Sequence, residues 1–388
     1  MDWIANPQGL QGTYDDVDIR IFQEGDASRP ESVSFYADMN VANTNHRCTG
    51  VLPCFPEEKW LQITDTVQYG TELFRWLFPP KSELEAVFLQ ARWRSEGTQR
   101  SSQAKIRLKL WLDPASPSLH RLWWEAMYDP EREVPLALTV AFSRFHVSDR
   151  RALPVAARPL RMLLATSNPQ GLDKFDCQPL DMSFEQELIQ RATRGLGDSL
   201  ATTQLTNPTP EGLKEMLNEL RPHIVYLNAQ SIYDDDDDDS GRVLLPDHTG
   251  MAAPVPFSDL VKIVAPSPDA APQFVFLTMP SKAEVDFYHS LSTLGRRLVE
   301  SGTQAAVALQ APMAEQGFEN FIPQFFEVLG RRGVIDEAMM LARSRIYEPG
   351  HWSWSFPVLY MSTPDAVLFQ PLSPELEEGI RALKFVNR

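Results

Sequence analysis

Pro222-His-Ile-Val-Tyr-Leu-Asn-Ala-Gln-Ser-Ile-Tyr-Asp234 and Phe274-Val-Phe-Leu-Thr-Met-Pro-Ser-Lys-Ala283 decide how the rest of the chain is read. In each, a short apolar run stops abruptly in small or polar residues. That is the pattern of a buried strand delivering a loop to the edge of a sheet. Outward from these two, the chain from about residue 158 alternates strand and helix signals. Arg161–Thr166 reads as a first strand and Ala201–Thr206 as a second, with a helix from Ser183 to Arg194 between them that stops at Gly195. Thr209 and Pro210 open the next helix: the Thr hydroxyl accepts a free N–H, and proline has none to leave unsatisfied. His223–Leu227, Phe274–Leu277 and Ala305–Leu309 are the third to fifth strands, and Phe356–Met361 is the last. A helix over Ser290–Ser301 closes at Gly302, and the helices Phe318–Leu329 and Ile335–Tyr347 are separated by a break at Gly330. Regular β-then-α order predicts a mainly parallel sheet with helices on both faces.

The first 150 residues carry a different pattern. Val17–Phe22 and Ile106–Leu112 alternate apolar and polar residues, as half-buried antiparallel strands do. Between them, Val67–Phe78 and Ser82–Trp93 have apolar residues at helical spacing, parted by Pro79-Pro80 because proline cannot continue a helix. Leu122-Trp-Trp-Glu-Ala-Met-Tyr-Asp-Pro130 follows, and then Leu136–Arg144 as a strand.

Composition excludes several function classes. Lys and Arg total 36 against 52 Asp and Glu, a formal charge of −16. Nucleic acid and anionic membrane both draw on basic patches, so neither is an expected partner. No apolar run approaches the roughly 20 residues that span a bilayer. The N-terminal Met-Asp-Trp-Ile-Ala-Asn-Pro has no basic n-region or apolar h-region of a secretory signal. Three cysteines, Cys48, Cys54 and Cys177, make no even framework and point to a reducing compartment, so a cytoplasmic protein is expected. A chain of 388 residues is long for one core and suggests two domains.

The two opening segments resemble the active-site strands of the CHAT family, caspase-like proteases of bacteria. In that family the first strand ends in a Gly-His-Gly-like turn and the second in Asn-Ala-Cys or similar. Other stretches are similar in consistent order. Leu122–Pro130 resembles the family's Pro-Trp-Glu-Leu-like segment, and Leu136–Arg144 the strand after it. Thr293–Gln310 resembles its helix–strand unit, Phe325–Arg343 its paired C-terminal helices and Trp354–Tyr360 its closing strand. The resemblance implies an α/β fold, a caspase-like three-layer sandwich with a mainly parallel central sheet, preceded by a smaller α+β region. On this reading residues 1–150 are the N-terminal region, 151–370 the caspase-like core and 371–388 a tail.

In an active member, the resemblance implies a His that activates a Cys across neighbouring strand tips, with backbone N–H groups holding the oxyanion. Here the His position holds Gln230 and the Cys position Pro280. Gln has no titratable group for general-base work, and Pro has neither a nucleophile nor an N–H. Ala229 and Ser231 stand where the family has glycines, and a Cβ at each restricts the turn. No catalytic residue is therefore assigned, and the chain reads as a catalytically inactive pseudoprotease that binds other proteins. A bacterial defence or signalling pathway is the setting the resemblance implies. The alternatives are an active cysteine endopeptidase with a rearranged site and a structural subunit that dimerises through sheet edges.

Other chemistry-bearing residues give no competing site. Ser281, His289 and Ser290 follow the second segment without the spacing of an oxyanion hole or an orienting acid. Cys177 matches no catalytic pattern and reads as a surface or half-buried thiol. His223 reads as a strand-edge histidine satisfied by a hydrogen bond. His46 and Cys48 with Cys54 lack a fourth zinc ligand, so no metal is assigned, and no cofactor either. The run Asp234, Asp235, Asp236, Asp237, Asp238 and Asp239 is a candidate acidic binding loop just after the Gln230 turn. Its carboxylates repel one another and read as a solvated, extended loop, suited to a basic segment of a protein partner. Such a partner could be an active CHAT-type protease of the same system. Consecutive Asp residues lack the alternating spacing and turn glycine of a calcium loop. Trp123, Trp124, Trp352 and Trp354 read as core residues.

Overall fold

A computed structural model describes residues 14–25, 34–44, 46–53, 60, 62–97, 105–148, 153–232, 241–278, 291–311 and 313–372. The chain divides into two compact units, Met1–Phe145 and His146–Arg388. Among the described residues no helix is long and apolar enough to cross a membrane.

The first unit runs β1 (Asp15–Glu24), β2 (Ser34–Val41), β3 (His46–Leu52), α1 (Thr66–Leu77), α2 (Glu83–Gly97) and β4 (Ile106–Leu112). It continues through α3 (Pro117–His120), β5 (Tyr128–Asp129), β6 (Val134–Pro135), α4 (Leu136–Thr139) and β7 (Ala141–Phe145). Its sheet has the order β3-β2-β1-β4-β7. The first three strands are antiparallel to one another, but β4 is parallel to both β1 and β7. This corrects the antiparallel reading of Ile106–Leu112. The polar residues of β4 do not face water: Lys109 Nζ lies 2.9 Å from Asp16 Oδ2 and 3.3 Å from Asp18 Oδ1. Arg107 sits over the Tyr14 ring, 4.1 Å from its centroid. Charges paired across β1 and β4 let a strand with alternating polarity be buried on both faces. α1 starts where the Asp65 carboxylate accepts the Gln68 N–H at 2.7 Å and ends just before Pro79-Pro80. A second correction falls at Leu136–Arg144, where the apolar run begins as a helical turn after Pro135 (φ −62°) and becomes strand only at Ala141. Trp124 is buried and donates from Nε1 to the Leu119 carbonyl at 2.8 Å.

The second unit begins β8 (Leu160–Ser167), α5 (Met182–Thr193), β9 (Leu200–Thr206), α6 (Pro210–Leu220) and β10 (Ile224–Ala229). A small antiparallel sheet follows, β11 (Ser231–Ile232), β12 (Arg242–Pro246) and β13 (Ala252–Pro256), then α7 (Phe257–Val264). β14 (Phe274–Thr278), α8 (Leu291–Glu300), β15 (Ala305–Leu309), α9 (Glu315–Arg332), α10 (Ile335–Ile346) and β16 (Pro357–Met361) complete it. The main sheet is ordered β16-β15-β14-β10-β8-β9. All its pairs are parallel except β15 with β16. As expected, Thr209 caps α6 by accepting the Gly212 N–H at 3.1 Å, with Pro210 next.

Helices cover both faces of this sheet. On one, α5 and α9 pack over Tyr226, Phe274 and Phe276, which meet Phe321, Phe325 and Phe326 of α9 in an aromatic core, and α10 lies against α9 and β16. On the other lie α6, α7 and α8, where Gly295 lets α8 close onto Tyr360 and Ala308. The break expected at Gly330 is misplaced. α9 runs on to Arg332 and ends at Gly333 (φ +73°). Gly330 is needed for room instead, since a Cβ there would lie 2.4 Å from Leu196 Cδ1.

Candidate functional site at the strand tips

The parallel strands of the second unit end together, and open α/β sheets place ligands at that edge. In register across three strands stand Thr166 of β8, Asn228 of β10 and Thr278 of β14. Residues paired in a parallel sheet point to the same face, so this polar row faces the α5 and α9 layer. One turn of the pleat below it, Tyr226 stacks on Phe276 with centroids 5.4 Å apart. The Tyr226 hydroxyl donates to Glu185 Oε2 at 3.0 Å. Glu185 arrives from the first turn of α5, which Asp181 caps by accepting the Ser183 and Phe184 N–H groups. Burial pushes the Glu185 carboxyl up to about 7, against the pull of hydrogen bonds from Tyr226 and Asn228 and with a further push from Asp181. Tyr226 is fully buried and its hydroxyl is raised well above its ordinary range, by burial first and then by Glu185. The Asn228 amide oxygen is buried and meets no hydrogen-bond donor among the described residues.

Gln230 lies beyond this row. It is 6% exposed, and its Nε2 donates to the Gln178 carbonyl at 2.6 Å. Its own carbonyl accepts the Leu244 N–H at 2.8 Å. Ala229 closes β10 and Ser231 opens β11, paired with Val243. None of residues 229–231 has a positive φ, so the expected constrained turn is instead a direct passage from the main sheet into the small one. β12 is held over the tips, with Ser167 Oγ donating to the Leu244 carbonyl at 2.9 Å.

Cys177 corrects another expectation. It is 4% exposed, packed with Leu172 and Leu244 and against Phe175, Ile232 and Ala252. Its thiol is raised by that burial, the reverse of what an attacking thiolate needs. His223 lies at the other end of β10, roughly 20 Å away for a strand of this length. Its Nδ1 accepts the Arg161 N–H at 3.0 Å, as a satisfied edge histidine does. In the first unit, burial first, then Glu83 and Asp38, push Cys48 up to about 11. Among the described residues no group of three metal-ligating side chains comes together.

Pro280, Ser281, His289 and Ser290, the run Asp234–Asp239, Cys54 and the tail from residue 373 lie outside the described residues. In sequence the acidic run falls between β11 and β12, whose paired ends are Ile232 and Arg242. Sequence reasoning missed Glu185, Tyr226 and Asn228 as one network. The signal was available: Glu185, Leu188, Ile189 and Ala192 form a helical stripe, and an acid on a stripe that is otherwise core is a marked residue.

Chemically, the described tips offer a buried amide, a buried thiol and a carboxyl held inside a hydrogen-bonded network. None is an exposed base beside an exposed nucleophile. A protein-family model described as CHAT domain matches residues 67–374 of the chain. No curated protein matches it.

Proposed function

The chain belongs to the CHAT domain family, with a caspase-like α/β fold, and from that premise we propose that it is a non-catalytic member that acts by binding protein. Gln230 carries this reading. The residue at the family's His position is buried, and its side-chain amide is committed to the Gln178 carbonyl rather than facing a reactive centre. A glutamine so fixed neither takes a proton nor orients a thiol. The proline at position 280 supports the same reading from sequence. The partner expected is a protein with a basic segment, drawn by the run Asp234–Asp239 and the formal charge of −16, in a cytoplasmic defence or signalling system.

The test installs what is missing. The double variant Gln230→His, Pro280→Cys should gain no measurable peptide hydrolysis. A His at 230 still sits in the closed space between Gln178 and the β12 cover, and rescue demands geometry as well as residue identity. Robust cleavage by that variant would show a scaffold that remains competent for catalysis.

A further inference from the structure

The sheet edges of this protein are defended unequally. β3 carries Arg47, 72% exposed, and β13 carries Pro254 and Pro256, which have no N–H to offer. Charges and prolines on an edge are the usual means of preventing another strand from adding to it. β9, the end strand of the second unit's main sheet, has neither. It reads Leu200-Ala-Thr-Thr-Gln-Leu-Thr206, uncharged and free of proline and glycine, with Ala201, Thr202, Gln204 and Thr206 exposed.

The direction of its free backbone groups follows from one hydrogen bond. Asn207 N donates to the Thr166 carbonyl of β8 at 2.8 Å. Backbone groups alternate between the two sides of a strand, so residues 201, 203 and 205 also turn toward β8, and Thr202, Gln204 and Thr206 turn outward.

We propose that β9 pairs antiparallel with β9 of a second copy of this chain, about a two-fold axis through Thr203. That centre sets Thr202 opposite Gln204 of the second copy as a hydrogen-bonded pair, so the outward N–H and C=O groups of both are met. Thr203 then faces Thr203 of the second copy in the closer, non-hydrogen-bonded position, where Thr–Thr pairs are favourable. Charge selects this occupant. At −16 overall, two copies repel, and an uncharged strip is where they approach at least cost. In this register Asp198 meets Pro208, so no carboxylate faces another along the strand line. A strongly basic or acidic partner would find no complementary charge on β9, whereas the strand is complementary to itself. The inference goes beyond the reading of the strand tips and holds whether or not they are catalytic.

The experiment is sedimentation velocity on the full chain across a wide concentration range, with Thr203→Lys and Thr203→Glu beside the parent. The parent should dimerise, more tightly as salt screens the repulsion. Each charged variant should weaken the dimer by about tenfold or more, because like charges then stand directly opposite. Mixing the two variants should restore it as a heterodimer. In the parent, hydrogen exchange at the Thr202 and Gln204 amides should slow as concentration rises, which tests the pairing even if a variant folds poorly. A parent that stays monomeric with both amides exchanging freely would overturn the proposal, as would a dimer that both charged variants leave intact. Protection of those amides only on adding an extended peptide of another protein would assign the edge to a different occupant and overturn it equally.

Discussion

At its amino end β10 is preceded by His223, whose imidazole accepts the Arg161 N–H; at its carboxyl end it runs through Asn228 into Gln230, above Glu185. Burial is the leading cause at both ends, and it drives the two groups in opposite directions. The Glu185 carboxyl is raised to about 7, while the His223 imidazole is lowered to about 4, helped by Arg161 and Arg158. Each therefore tends to its neutral form, which is what a strand buried along its whole length favours. The stability consequences are opposite too. Relative to an ordinary carboxyl at 4.5, Glu185 contributes stability that is full below about pH 4.5 and lost as pH rises through about 7. Relative to 6.5, His223 contributes stability that is full above about pH 6.5 and lost as pH falls through about 4. Between these limits the two slopes oppose each other, so the parent should show a shallow profile that single substitutions split apart.

The largest effect belongs to Glu185→Gln. A neutral isostere still accepts from Tyr226 but no longer ionises, so above pH 7 the variant should be more stable than the parent by up to about 3 kcal/mol. Near pH 4.5 the two should coincide. Urea denaturation at both values checks it, and an equal difference at both would mean that Glu185 is not the titrating group. Next comes Gln230→Ala, which removes the amide of a buried side chain from the Gln178 carbonyl and should cost about 1 kcal/mol at every pH. A cost that grew with pH would tie Gln230 to the Glu185 ionisation. The smallest effect is His223→Gln, because His223 is only half buried. Its acid limb, from pH 6.5 down to 4, should flatten while the Glu185 limb remains. A thermal melt series across that range would show the limb retained if another group carries it.

What could be read from the sequence, and what could not, follows the same physics of burial. The strands of the second unit were legible because β10, β14 and β15 are fully buried and therefore uninterrupted apolar runs. The small sheet was not, because Pro246, Pro254 and Pro256 mask β12 and β13 as loop. Leu136–Thr139 misled because an apolar run alone does not distinguish a helical turn from a strand. Gly330 and Gly333 look alike in sequence. One is required by the approach of Leu196 and the other by a left-handed backbone, a distinction that only packing makes. At the strand tips, the assignment of Gln230 and Pro280 to the His and Cys positions rests on the resemblance alone. The Gln178 contact and the Glu185 network were not legible, since both join residues more than 40 positions apart.

The claim that the strand tips carry no working dyad is tested most directly by exposing the folded, full-length chain to a peptidyl electrophile at neutral pH and mapping any adduct by mass. No covalent label should form on the folded protein, and Cys177 should react only once unfolding releases its buried thiol. A stoichiometric adduct on the folded chain at the tips of β10 or β14, abolished by changing the labelled residue, would contradict the account.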